Sequence, residues 1–360
     1  PARHPRNGNG RTVTTVDTLV SAHRRRVARR WAIIALLIAG ALAAFVTSTV
    51  VGPIDLGAKE VVQGIFSPSS LTDQNRVVLW KLRLPMSVMA LLVGMTLSLA
   101  GAQMQTILGN PLAEPFTLGI SAAAAFGGAA AIVLGITIIP VAQFNLAATA
   151  WISAMVATTL IVVASIRRGA SAETMILLGI GLVFFFQAML SLMQYSASVE
   201  ALQQIVFWTM GSMTRATWLG NGIIAVVLVV SLPIFMWLSW RLTALRLGDA
   251  RAMAMGINVQ RLRVVVLIMV SVLAATTVAF SGIIGFIGLV GPHIARILVG
   301  EDQRYFIPAS MASGALVLVC SHAVSLIIRP GLAIPIGIIT AVIGVPFFIL
   351  IIMTRKRANW

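Results

Sequence analysis

One stretch of the chain concentrates charged, sulfur-containing and turn-forming residues between two long apolar runs. Residues 247–263 read LGDARAMAMGINVQRLR. The residues that carry the pattern are Gly248, Asp249, Arg251, Met253, Met255 and Gly256. Glycine readily takes the positive φ that a sharp turn needs, so the pattern predicts a short helix, a turn at Gly256 and a second short segment. Such an element between membrane spans is typical of a docking surface for a partner protein.

A second polar pattern lies inside an apolar run. Gln187, Ser191 and Gln194 are spaced by four and three residues, so in a helix they share one face. Two interpretations stay open: the side chains bond between helices, or they line a hydrated path.

Other kinds of chemistry have little support in the sequence. The phosphate-binding pattern G-x-x-x-x-G-K-[ST] does not occur, and the chain has no cluster of Cys and His with metal-ligand spacing. The acidic residues fall in loops or at span ends, and His293 and His322 are interpreted as neutral packing residues rather than a proton relay. We therefore expect no catalytic residue, metal or cofactor on this chain.

The elements that position these residues are membrane spans. The chain is 59% hydrophobic and 10% charged, with a mean hydropathy of +0.98. Continuous apolar runs of about 20 residues predict an all-α polytopic membrane protein rather than a β-barrel. We predict ten spans, at 31–51, 85–107, 119–139, 146–166, 173–196, 219–240, 264–282, 283–299, 305–328 and 335–354.

Basic residues orient these spans. With both termini in the cytoplasm, 20 of the 26 Lys and Arg residues fall on the cytoplasmic side and 6 on the outer side, as the positive-inside rule requires. The same distribution explains the net charge of +16 without a nucleic-acid partner.

The domain organisation follows from the spans. We expect a basic, partly disordered cytoplasmic tail at 1–30, a transmembrane domain at 31–354 and a cytoplasmic tail at 355–360. The run at 31–51 is too long for the core of a signal peptide and is interpreted as a retained span. Of the outer segments, 197–218 is predicted to hold a short surface helix.

Six motifs in order along the chain resemble the FecCD-type permeases, the membrane subunits of ABC importers for ferric siderophores, haem and vitamin B12. They are RLP at 83–85, GAQMQ at 101–105, NPLAEPFTLG at 110–119, LGDARAMAMGINVQRLR at 247–263, GFIGLVGPHIAR at 285–296 and PIGIITAVIGVPFF at 335–348. The family's ten spans equal the number derived from charge.

The resemblance implies a role for each region. Residues 247–263 would couple to an ATPase subunit, and Arg83 and Arg329 would dock an extracytoplasmic substrate-binding protein. The fifth and tenth spans, with Gln187, Ser191, Gln194 and Thr340, would line the translocation path. The permease would pair with itself or a similar subunit above two ABC ATPases, in the bacterial cytoplasmic membrane.

The resemblance leaves the ligand open, with a ferric siderophore expected ahead of haem or cobalamin. The family motif usually continues with arginine where this chain has Met86, and acids are common at the positions of His322 and Ala333. A secondary transporter that works without ATP is the alternative class, and an embedded acid–base pair would have favoured it.

Overall fold

The computed structural model describes residues 10–52, 56–169, 171–328 and 334–354, which form helices and their connections. In chain order the helices are α1 (Gly10–Val50), α2 (Ala58–Phe66), α3 (Asp73–Val77), α4 (Leu84–Leu108), α5 (Ile120–Leu134), α6 (Ala142–Arg168), α7 (Ala172–Ser196), α8 (Val199–Thr209), α9 (Trp218–Leu245), α10 (Asp249–Ala254), α11 (Val259–Ser281), α12 (Ile287–Val299), α13 (Gln303–Ile328) and α14 (Ile336–Thr354). A π-helical turn, Val78–Arg83, joins α3 to α4.

Ten of these helices correspond to the ten predicted spans. Within the described ranges, seven are long and apolar enough to cross a membrane, and the apolar stretches Ile120–Leu134, Ile287–Val299 and Ile336–Leu350 are shorter. The prediction of an all-α polytopic membrane protein is confirmed. Helix α11 ends at Ser281, and Gly282 follows it with a φ of 75°, so the boundary between the seventh and eighth spans lies within one residue of its predicted place.

The first helix differs from the prediction. Helix α1 is 41 residues long and begins at Gly10, so residues 10–30 of the predicted tail are helical, and residues 1–9 lie outside the described residues. A helix that already exists is extended at the gain of one hydrogen bond per residue, without a new nucleation step. The apolar span therefore supports the basic segment that precedes it.

Helix α4 lies at the centre of the bundle and packs against α9, α11, α12 and α13. Glycine allows two of these contacts. A Cβ on Gly101 would lie 1.9 Å from the carbonyl oxygen of Gly288 on α12, and a Cβ on Gly94 would lie 2.5 Å from that of Gly314 on α13. The backbones touch at these points, and any side chain would force the helices apart.

Two short helices lie outside the bundle of spans. Helix α8 is the surface helix predicted within 197–218, and Ser198 caps it by accepting a hydrogen bond from the backbone N–H of Ala201. Helix α2 carries the exposed apolar residues Val62 and Phe66.

Candidate functional site

The predicted docking segment begins with a short helix between two glycines. Gly248 precedes α10 with a φ of 97°, and Gly256 follows it with a φ of 80°. Asn258 then caps α11 by accepting a hydrogen bond of 2.9 Å from the backbone N–H of Arg261. The helix and the turn are as predicted. The second segment is not separate, because it forms the first turns of the long helix α11.

Asp249 is half-exposed, and it is paired within the chain. Its two carboxylate oxygens accept hydrogen bonds of 2.7 and 2.9 Å from the guanidinium of Arg263. Arg263 is buried and also donates from Nε to the carbonyl oxygen of Ile107. One bidentate pair thus fixes α10 to α11 and to the end of α4, and a role for the half-exposed Asp249 in contacting a partner stays a prediction.

The outward side of α10 is basic and apolar. Arg251 is exposed, and Met253 and Met255 are 57% and 43% exposed, while Ala252 is fully buried beneath them. Methionine side chains adapt to irregular partner surfaces. This face therefore has the composition of a protein contact.

A second set of ion pairs surrounds the same end of the bundle. Glu301, in the connection between α12 and α13, pairs with Arg246 at the end of α9 and, at 2.9 Å, with Arg296 on α12. Arg296 also donates to the Oε1 of Gln105 on α4. We call Arg246, Glu301, Arg296 and Gln105 the ion-pair frame.

No pattern in the sequence predicted this frame. Its members come from four segments far apart in the chain, so no spacing rule connects them. The only signal in the sequence is that Arg246 and Glu301 occupy span ends where few opposite charges are available.

The polar residues of α7 lie on an uncovered helix face. Gln187 and Ser191 are exposed, and Gln194 is partly buried. Large apolar neighbours are exposed beside them, with Phe184 at 68% and Tyr195 at 90%. Within the residues that the structure describes, these side chains form no hydrogen bond to another helix, so the face is open to a second subunit or to a path.

Thr340 does not share this environment. It is 2% exposed, and its hydroxyl donates to the carbonyl oxygen of Gly337 in its own helix. The exposed face of α14 is instead apolar, and it includes Val342, Ile349 and Leu350. The prediction that the Thr340 side chain lines a path does not fit its buried position.

The connection between α4 and α5 packs into the bundle. Pro111 and Leu112 lie beside Phe286, His293 and Phe347, which form one groove. Phe286 has a φ of 69°, a left-handed conformation that is costly for an aromatic residue and that needs support from its surroundings.

Support for this backbone comes from an acid. The carboxylate of Glu114 accepts a hydrogen bond from the backbone N–H of Phe286. Glu114 is only partly exposed, so this acid of a connecting segment is a packed structural residue.

On the opposite side of the bundle, Arg83 is buried. Its guanidinium donates to the carbonyl oxygens of Thr49 and Val50, at 3.2 and 2.6 Å, and the residue is 5% exposed. The last carbonyls of a helix lack partners within the helix, so Arg83 caps the end of α1. This buried position does not fit the expectation that Arg83 docks an outer protein. Arg329, the other residue expected to do so, lies outside the described residues.

Comparisons with known proteins agree with this architecture. The model of the FecCD transport family matches residues 36–354. A protein of Methanocaldococcus jannaschii assigned as an ABC transporter permease is 36% identical over 316 residues, which cover 85% of this chain and 90% of the relative.

Relatives with different ligands are similarly close. A permease of Helicobacter pylori assigned to iron chelatin transport is 36% identical over 281 residues, 78% of this chain and 83% of its own length. The vitamin B12 import permease of Vibrio vulnificus is 34% identical over 298 residues, 81% of this chain and 87% of its own length.

A solved structure shares the fold at the same level of identity. It is the inward-facing conformation of a transporter assigned to the metal-chelate type of ABC transporter. It has a TM-score of 0.78 and 31% identity, and the match covers 91% of this chain and all of that one.

Proposed function

Because this chain belongs to the FecCD transport family and is a permease of the ABC importer type, we propose that it moves a ferric siderophore into the cell. ATP would be hydrolysed on a separate subunit that holds both the nucleotide and Mg²⁺. The observation that carries this proposal is the family match across nearly all of the bundle, joined to an exposed α10 face that is built for protein contact.

The contact with the ATPase is the first part of the proposal. Arg251, Met253 and Met255 present a basic and apolar surface, while the Asp249–Arg263 pair holds α10 rigidly on the bundle. A rigid element with an adaptable surface transmits a displacement instead of absorbing it. Two ATPase subunits would bind two permeases in this way.

Pairing with a second permease is the next part. The uncovered faces of α7 and α14 bear large apolar side chains that suit lipid as well as protein. The exposed polar residues Gln187 and Ser191 on α7 favour a covering subunit or a hydrated path, because polar groups are costly to expose to lipid. A path between two permeases would place Gln187, Ser191 and Gln194 on its wall. Copurification of two differently tagged copies would distinguish a homodimer from a pair with a similar subunit.

The remaining partner is an extracytoplasmic substrate-binding protein. Arg329 remains the residue proposed to dock it. The membrane would be the bacterial cytoplasmic membrane, and the positive-inside distribution of charge supports a cytoplasmic location for α10.

A reconstituted system tests the ligand. The permease, its ATPase and its binding protein would be placed in proteoliposomes, and ATP-dependent uptake of a ⁵⁵Fe-labelled siderophore, of labelled haem and of labelled cobalamin would be compared. The vitamin B12 relative keeps cobalamin as the second candidate. Uptake of cobalamin or haem in place of the siderophore would show that the proposed ligand is wrong. Uptake without ATP would show that the protein is not part of an ABC importer.

Gly256 tests the coupling segment. A Cβ at this position would meet nothing within 4 Å, yet the φ of 80° is unfavourable for a β-branched residue, at a cost of about 1–2 kcal/mol. We expect Gly256→Val to remain inserted but to lose the ATPase and transport. Gly222→Val, at an uncrowded helical glycine of α9, is the control. Normal copurification and transport by Gly256→Val would remove the segment from the coupling role.

A further inference from the structure

A groove lies between α9 and the beginning of α11, next to α10. Its volume is about 440 Å³. One wall contains Trp237 and Arg241 of α9, and the other contains Arg261 of α11. The turn that follows α10, residues 255–258, closes one end. The groove opens toward the membrane-facing side of α9, where Trp237 is 71% exposed.

Within the described residues, the two arginines have no acidic partner. Arg241 and Arg261 are both exposed, and neither forms an ion pair within the part of the chain that the structure describes. The Arg241 guanidinium lies 5.0 Å from the centre of the Trp237 ring, which orients it at the mouth of the groove. Two unpaired cations at one opening favour an anionic ligand.

The groove changes character with depth. Trp237 and Trp240 are exposed on α9 at the level of the arginines, and exposed tryptophans of this kind mark the interface between lipid headgroups and acyl chains. About two helical turns from Arg241, toward the centre of the membrane, Ile234 lines the groove, and Val265 lines it about one turn from Arg261. A ligand that fits must have an anionic head and an aliphatic body.

We propose that this groove binds an anionic phospholipid of the surrounding leaflet. The phosphate lies between Arg241 and Arg261, and an acyl chain lies on Ile234 and Val265. A free phosphate ion would use the arginines but leave the aliphatic part of the groove uncovered. The bound lipid contacts Met255 and Gly256, so it supports the turn that holds α10 in place.

Brominated lipids test the proposal without any measurement of transport. Bromine on an acyl chain quenches nearby tryptophan fluorescence. The full-length permease, alone and with its ATPase, would be placed in phosphatidylcholine nanodiscs that contain a small, equal fraction of brominated phosphatidylglycerol or brominated phosphatidylcholine. Trp237→Phe with Trp240→Phe identifies the part of the signal that comes from the groove.

We expect phosphatidylglycerol to be preferred over phosphatidylcholine, by about 25-fold if each arginine contributes as basic residues near anionic lipid do. Arg241→Gln with Arg261→Gln should abolish the preference. Arg25→Gln with Arg29→Gln removes two exposed charges of α1 and should preserve it.

Three results would overturn the proposal. Equal quenching by the two brominated lipids in the native protein would show that the groove does not select a headgroup. An unchanged preference in Arg241→Gln with Arg261→Gln would place the anionic lipid elsewhere. Loss of the preference when the ATPase is added would assign the groove to that protein. None of these results depends on ATP-driven import, so they are separable from a failure of the proposed function.

Discussion

Arg83 fills the space at the end of α1, where the carbonyl groups of the helix need donors. A Cβ on Gly52 would lie 2.7 Å from its Nη2, so the chain passes directly over the guanidinium. A positive charge at a helix C-terminus also interacts favourably with the helix dipole. The environment, and not the residue type, decides that this arginine is structural.

Arg83→Gln should therefore destabilise the protein, while Lys81→Gln should not. Loss of charge-assisted hydrogen bonds by a buried group costs about 1.5–3 kcal/mol, whereas Lys81 is exposed two residues away. Thermal unfolding followed by size-exclusion chromatography would measure the difference. If Arg83→Gln unfolds at the same temperature as the native protein but no longer captures the binding protein, the docking role holds and the capping role is wrong.

Asp249 offers a second test at the residue scale. Asp249→Asn leaves Arg263 buried without a full charge partner. We expect the free energy of unfolding to fall by about 1–2 kcal/mol. The loss is smaller than for a fully buried pair because the Asp249 side chain is 47% exposed and solvent screens its charge. Asp73→Asn removes an exposed i,i+3 pair with Arg76 and should change stability by less than about 0.5 kcal/mol. Equal effects of the two substitutions would show that the Asp249–Arg263 pair does not fix α10.

The sequence predicted which residues stand out but not what they contact. Gly248 and Gly256 were recognisable because positive φ is a local property, and both have it. The partner of Asp249 was not recognisable, since Arg263 is brought to it by the turn between α10 and α11. The buried position of Thr340, whose hydroxyl bonds within its own helix, was not predictable either, since the rotation of a span about its axis depends on the helices packed against it.

At the scale of elements, α10 is connected to α4 by two routes. Arg263 joins it to the carbonyl of Ile107 near the end of α4, and the ion-pair frame joins the end of α9 to Gln105 through Glu301 and Arg296. Helix α4 leads directly into the connection that contacts Phe286 and His293. A displacement of α10 therefore has a continuous packed route to the middle of the bundle.

Glu301→Gln should interrupt one of these routes without dismantling the site. We expect the ATPase to copurify as with the native chain, while stimulation of ATP hydrolysis by the loaded binding protein falls by about tenfold, a typical coupling free energy between sites. A purely structural role would lower thermal stability and copurification together with stimulation, so all three would be measured.

Asp302→Asn is the matched control for that prediction. Hydrogen bonding from Arg304, two residues away, lowers the pKa of the Asp302 carboxyl, so Asp302 is ionised at neutral pH. The substitution thus removes the same charge from the same connection but breaks only a local pair. Full stimulation in Glu301→Gln, or an equal loss in Asp302→Asn, would exclude the frame from coupling.

At the scale of the whole molecule, the number of spans was predictable because apolar length and the distribution of basic residues are properties of the sequence alone. Their arrangement was not. Helix α4 is central because glycines at positions 94 and 101 meet glycines on α13 and α12, and the sequence does not state which glycines meet. The uncovered faces of α7 and α14 likewise appear only when the other helices have been packed.

The ten-span arrangement requires α10 and the connections before α4 and α8 to lie on opposite sides of the membrane. Ser70, Ser198 and Ala250 are all exposed, so a cysteine at any of them is accessible to a thiol reagent on its own side. The exposed native Cys320 would first be replaced by serine. We expect an impermeant maleimide to label Ser70→Cys and Ser198→Cys in intact cells, and to label Ala250→Cys only after permeabilisation. Labelling of position 250 from outside would invert the orientation and, with it, place α10 on the side where no ATPase could reach it.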